Sequence, residues 1–320
     1  MPFLSFRPEW RNLSLLVLRD YQSLDMTKGT KAARLRELIT AGCVAMPGVP
    51  NAAIARQVER AGFEALYISG AGLANTTAGV PDIGLLTLTE VAQLAGYIVN
   101  AVNIPAIVDA DTGFGGAENV ARTIQELERA GLAGCHLEDQ EFPKRCGHLA
   151  GKSLVSTEEM AEKIEAAVAA RQDPDFLIIA RTDARGVEDF QSAVRRAEKY
   201  LEAGADAIFP EALQNEDEFR QFSEAIDLPL LANMTEFGKS PLLSLSELSD
   251  LGYRMVIFPM SAFRVSMKAS EHFLQTLKAS GTQADWVEKM QTRRELYELL
   301  DYDPAAERWP VSKGNNPSAP

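Results

Sequence analysis

ERAGLAGCHLED, residues 128–139, ends a charged amphipathic segment on Ala-Gly and runs at once into an apolar stretch that finishes in two acids. The same signature returns at ERAGFEALYIS (59–69) and LEAGADAIFPE (201–211). In each, glycine stands where a helix C-terminus calls for positive φ, and a strand is predicted two or three residues later. The apolar runs are CVAMPG (43–48), ALYISG (65–70), PAIVDAD (105–111), AGCHLED (133–139), FLIIARTD (176–183), DAIFPEA (206–212), LPLLANMT (228–235) and RMVIFPMS (254–261). Between them lie segments of helical period such as AENVARTIQELERAG and VEDFQSAVRRAEKYLEAG. Strands this apolar are buried on both faces and hence parallel. Eight βα units predict an α/β fold, a single (β/α)8 TIM-type barrel.

Polar residues gather at the C-terminal ends of these runs: Ser69, Asp109 and Asp111, Glu138 and Asp139, Arg181 and Asp183, Glu211, Asn233 and Thr235. In a barrel those ends share one face, where the βα loops build active sites. A doubly wound sheet places ligands at the same ends. Any one of these residues could simply end its strand. An arginine, an asparagine and several acids from six strands predict one convergent polar site.

The chain has 320 residues, 46% hydrophobic and 24% charged, which is ordinary for a globular enzyme. A formal net charge of -13 argues against nucleic acid or an anionic membrane as partner. Three cysteines make no disulfide framework and point to a reducing compartment, hence a cytoplasmic protein. No apolar run approaches the roughly 20 residues of a membrane span. Residues 1–25 fit neither a secretory signal nor an acid-poor transit peptide and are expected to be a dispensable extension. A catalytic barrel with C-terminal helices is expected over 26–302, and a disordered polar tail over 303–320.

Within DADTGFGG (109–116), two carboxylates at i and i+2 on a strand point to one side. Such a pair suits Mg²⁺, which takes one or two carboxylates and keeps several waters, with Glu138 adding a contact through water. An Asp-Gly turn with capping carboxylates is the bland alternative. In KRCGH (144–148), Lys144 and Arg145 would favour a thiolate at Cys146, and Gly147 allows close backbone approach. An inert loop thiol is the alternative. Zinc is disfavoured because Cys43, Cys135 and His272 show no ligand spacing. Arg181, Glu211, Asn233-Met234-Thr235 and Arg264 are donors and acceptors suited to a small polycarboxylate, and QTRRELY (291–297) adds Arg293.

SGAG, DADTGFG, LEDQ…KRCGH, ARTD, FPEA, LANMTEFG, PMSAFR and MQTRRELY, in this order between about Lys28 and Tyr302, together resemble the isocitrate lyase/phosphoenolpyruvate mutase superfamily. Within it they are most similar to the branch that cleaves 2-methylisocitrate, a small tricarboxylate, to pyruvate and succinate in the methylcitrate cycle of propionate catabolism. The resemblance implies a barrel with a swapped C-terminal helix, a homotetramer, and Mg²⁺ held by Asp109 and Asp111. It makes Ser69, Gly70 and Ala71 the substrate-binding turn, and Cys146 with Gly147 the catalytic loop. Arg181, Glu211, Asn233, Met234, Thr235, Arg264 and Arg293 match substrate-contacting positions. The family usually carries SGG, so Ala71 is a departure that puts the contact at that position in doubt.

The chemistry so implied is a retro-aldol-type cleavage in which Cys146 protonates the departing carbanion. Lys144, Arg145 and His148 are expected to set the reactivity of its thiol, and Tyr67 is the first candidate base, with Glu or Asp through water as rival. The related 2,3-dimethylmalate lyases and short isocitrate lyases are the alternatives. A barrel kept only for binding predicts decay of the metal carboxylates, the cysteine and the arginines, all of which are intact.

Overall fold

The computed structural model describes residues 29–149, 151–306 and 309. The expected extension over 1–25 and most of the tail therefore lie outside the described residues. Eight parallel strands alternate with helices: β1 Val44–Pro47, β2 Leu66–Ile68, β3 Ala106–Asp109, β4 Gly134–Glu138, β5 Leu177–Thr182, β6 Ala207–Pro210, β7 Leu231–Asn233 and β8 Met255–Phe258. All eight predicted runs contain one. The main helices are α1 Lys31–Ala41, α2 Ala52–Arg60, α3 Leu88–Val99, α4 Ala117–Ala130, α5 Thr157–Ala170, α6 Phe190–Glu202, α7 Glu216–Ala225, α8 Leu245–Asp250, α9 Ser261–Ser280 and α10 Arg293–Leu299.

Strands β2 to β6 pair in sequence order, and β1, β8 and β7 form a second ladder. Single parallel bridges, Gly48 with Tyr67 and Ile208 with Leu230, join the two ladders into a closed barrel. The repeated Ala-Gly signature does what its chemistry demands: Gly62, Gly131 and Gly204 have φ of 91°, 93° and 97°. Each turns the chain at a helix end, where a Cβ would clash with its own backbone.

Strand parity sorts the side chains into two cores. Leu66, Ile68, Val108, Cys135 and Ile178 face outward under the helices. Tyr67, Ile107, Leu177, Ile179, Phe209 and Ile257 fill the barrel interior, which α1 closes from below with Leu35, Leu38 and Ile39. The interior parity continues upward into polar residues: Ser69, Asp109, His136 and Glu138, Arg181, Glu211. Helix α9 departs from this order. It spans 20 residues and keeps none of them buried.

Candidate active site

On six of the eight strands, β2 to β7, the interior positions beyond the apolar layer deliver polar side chains to the upper mouth of the barrel. Asp109 is nearly buried, and its carboxylate accepts the amides of Asp111 at 3.0 Å and Gly70 at 3.3 Å. A methyl on Gly70 would lie 3.0 Å from Asp109 Oδ2, so the SGAG turn needs glycine there to reach the acid. Ser69 is buried beside it, while Ala71 is only partly covered. Asp111 leaves the strand with φ of 47° and meets the Lys144 ammonium at 2.7 Å. The same ammonium hydrogen-bonds Asp82. Burial, reinforced by Asp109, raises the Asp111 carboxyl above the usual range. Burial also opposes ionisation of Asp109, but the charges of Lys144 and Arg181 prevail and hold it low.

Glu138 is 1% exposed, and neither carboxylate oxygen finds a hydrogen-bond partner among the described residues. Arg181 Nη1 lies 3.3 Å from Oε2 but out of hydrogen-bonding alignment. Burial pushes the Glu138 carboxyl well above its ordinary value. Arg181 also pairs with Asp183 at 3.0 Å and approaches Glu211 at 3.4 Å, its guanidinium resting over the Phe209 ring. Glu211 further accepts from Asn233 Nδ2 at 3.1 Å, and against the cost of burial Arg181 and His148 hold its carboxyl below the usual range. The Asn233 Oδ1 is buried without a partner among the described residues.

The KRCGH loop lies over this mouth. Gly147 is packed so tightly that a Cβ would strike Arg181 and come within 2.6 Å of Glu211 Cγ. Lys152 grips the loop from below, hydrogen-bonding the Gly147 carbonyl and pairing with Asp183 at 2.6 Å. His148 Nε2 sits 3.0 Å from Glu211 Oε1, and its Nδ1 accepts the Lys239 amide at 2.9 Å, which fixes the tautomer. Cys146 is free and exposed.

Lys144 and His148, expected to set the reactivity of the thiol, are both paired with carboxylates. Lys144 is engaged by Asp82 and Asp111, and His148 by Glu211. Arg145 is exposed, and its backbone amide and carbonyl are paired with the Gln140 side chain.

Tyr67, the first candidate base, is buried on β2. Its hydroxyl lies 2.9 Å from His136 Nε2, and burial, then Asp109, pushes the phenol well above its ordinary value. Burial lowers His136 to about 4, so a neutral imidazole shares this hydrogen bond with the phenol. Met234 is buried and Thr235 half-buried beyond Asn233. Arg264 is exposed at the start of α9, where it pairs with Glu236 at 3.6 Å. Arg293, exposed on α10, lines a surface groove with Tyr297 and Tyr302 rather than the barrel mouth.

Three residues of the constellation escaped the sequence reading: His136, which sits mid-strand in an apolar run beside Tyr67 and Asp109, Asp82 and Lys152. Asp82 lies in a Pro-Asp-Ile-Gly turn that resembles any other acidic turn. Lys152 finds Asp183 only across 31 residues.

Six carboxylates (Asp82, Asp109, Asp111, Glu138, Asp183 and Glu211) thus face three permanent cations, Lys144, Lys152 and Arg181. Among the described residues, no three acidic, histidine or cysteine side chains are grouped as direct metal ligands. The excess of acid and the orphaned Glu138 oxygens fit a hard divalent cation that binds through few carboxylates and much water.

The phosphoenolpyruvate phosphomutase family profile matches residues 35–278. A 2-methylisocitrate lyase of Aeropyrum pernix is 55% identical over 269 residues, covering 84% of this chain and 86% of that protein. One from Bacillus subtilis is 47% identical over 272 residues, covering 85% and 89%. Among solved structures, a 2,3-dimethylmalate lyase of the PEP mutase/isocitrate lyase superfamily matches with a TM-score of 0.81 at 38% identity, covering 85% of this chain and 92% of that one. A phosphonopyruvate hydrolase in complex with oxalate and Mg²⁺ matches with a TM-score of 0.77 at 32% identity, covering 85% and 95%.

Proposed function

The chain belongs to the phosphoenolpyruvate mutase/isocitrate lyase superfamily, and from that premise we propose that it is the carbon–carbon lyase that cleaves 2-methylisocitrate to pyruvate and succinate. The observation that carries this reading is the loop thiol of Cys146 suspended over an acid-rich, cation-seeking floor. Relatives near half identity are lyases of that name, and we place the activity in the methylcitrate cycle.

Asp109 and Asp111 would hold Mg²⁺, with Glu138 reaching it through water. When bound, the metal would polarise the hydroxyl and carboxylate of the pyruvate-forming half. Arg181 and Asn233 supply donors for the carboxylates of the succinate-forming half. Glu138, buried and without hydrogen bonds, is the carboxylate best suited to take the hydroxyl proton, while Tyr67 and His136 form a neutral pair beside it. Cys146 delivers a proton to the carbanion, and Gly147, Lys152 and His148 hold the loop in place for that transfer. Phe209 and Ile257 belong to the buried apolar layer beneath the mouth. Helix α9, with Val265 71% and Leu274 59% exposed, supports the exchange of this helix between subunits of a homotetramer.

The test is a cleavage assay on 2-methylisocitrate, isocitrate and 2,3-dimethylmalate, with Mg²⁺ and with EDTA, trapping the keto acid as its phenylhydrazone. We expect Mg²⁺-dependent pyruvate release from methylisocitrate, with isocitrate slower by about 10–200-fold, the worth of one methyl group. Cys146→Ser should abolish turnover. Absence of cleavage of all three substrates overturns the reading.

A further inference from the structure

The loop that carries Cys146 leaves β4 at Asp139 and returns at Val155, and a single buried carboxylate controls both points. Asp139 is 0% exposed. Its Oδ2 accepts the hydroxyls of Thr182 at 2.8 Å and Tyr200 at 2.8 Å, and its Oδ1 accepts the Asp183 amide at 2.9 Å. Arg196, one turn before Tyr200 on α6, lies 3.4 Å from the same carboxylate and donates to the Val155 carbonyl at 3.0 Å and to the Tyr200 hydroxyl at 3.2 Å. The Val155 amide returns to the Asp139 carbonyl at 3.0 Å, and the Glu141 amide to the Ser153 carbonyl at 2.9 Å, closing the base of the loop.

We infer that Arg196 and Tyr200, on the outer helix α6, are positioning residues for the catalytic loop. The connection is continuous. Tyr200 and Arg196 fix Asp139, which fixes the Thr182-Asp183 backbone; the Asp183 carboxylate fixes Lys152, and Lys152 holds the Gly147 carbonyl next to Cys146. Neither side chain faces the substrate space, so their effect on chemistry passes through the loop. The assignment rests on the lyase reading for its consequence on turnover. Its structural content is independent of the substrate.

Tyr200→Phe removes one hydroxyl and retains the ring that fills the core. Hydrogen–deuterium exchange would be followed on peptides covering the loop base, around Glu141 and Val155, and on peptides from β2 and β3 as an internal reference. Losing one buried hydrogen bond of ordinary strength corresponds to about tenfold faster exchange at the loop base. The reference strands should be unchanged, and kcat should fall more than KM rises. Loop exchange that stays at the wild-type rate, or that rises only in step with β2 and β3, overturns the inference and leaves a merely structural role. Should Tyr200→Phe fail to fold, Arg196→Lys, which keeps the charge but shortens the reach to Val155, carries the same comparison. If no substrate is turned over, the exchange result still decides the positioning role, and only the lyase reading falls.

Discussion

At Gly147 the main chain passes so close to the arginine and glutamate of the site that a methyl group would sit 2.6 Å from Glu211 Cγ. Both neighbours are buried and held by several partners, so the loop itself must yield. Displacing a proton donor by about 1 Å typically costs on the order of 100-fold in rate. Gly147→Ala should therefore lower kcat/KM by about 100-fold while circular dichroism and melting temperature stay near wild type. A loss under about threefold would mean that the loop's close approach is dispensable. This scale is also where the sequence was least legible. Asp109, Arg181 and Glu211 could be found because each ends a strand with interior parity. The partners of Lys144 could not, because charge and loop position alone do not say whether an ammonium turns toward a nearby sulfur or toward two distant acids.

For the elements, the recurring Ala-Gly helix ends are the clearest link between sequence and fold. Gly131, at φ of 93°, ends α4 and sends the chain into β4, which carries His136 and Glu138. Gly131→Ala should destabilise the protein by about 1 kcal/mol in urea unfolding, with catalytic constants near wild type. No measurable shift would mean that the left-handed turn is not a constraint on folding. The strands were legible because a period of two and an apolar run leave few alternatives. The ties around Asp139 were not, since Arg196 and Tyr200 on a helix look the same in sequence whether they face solvent, core or a buried acid.

For the whole molecule, the barrel could be counted from the sequence and was found closed. The destination of α9 could not be, because its pattern tells that an apolar stripe needs cover and not what covers it. Among the described residues, no helix is long and apolar enough to cross a membrane. If α9 is exchanged between subunits as proposed, sedimentation at micromolar concentration should give an assembly near four times the 35.0 kDa of one chain. A monomer at that concentration would remove the subunit-exchange proposal.

A 20-residue helix that keeps no residue from water has little of its own to hold it together, since most helical stability in proteins comes from a packed face. Dilution should then act on this protein as a mild denaturant. As the chains separate, the far-ultraviolet helical signal and the fluorescence of Trp286, which packs on Phe273 of α9, should change before the near-ultraviolet signal of the buried barrel tyrosines Tyr67, Tyr200 and Tyr253, and the midpoint of that change should shift with protein concentration, as mass action requires. The order of α9 would thus report the concentration of its own chain, while the interior of the barrel does not.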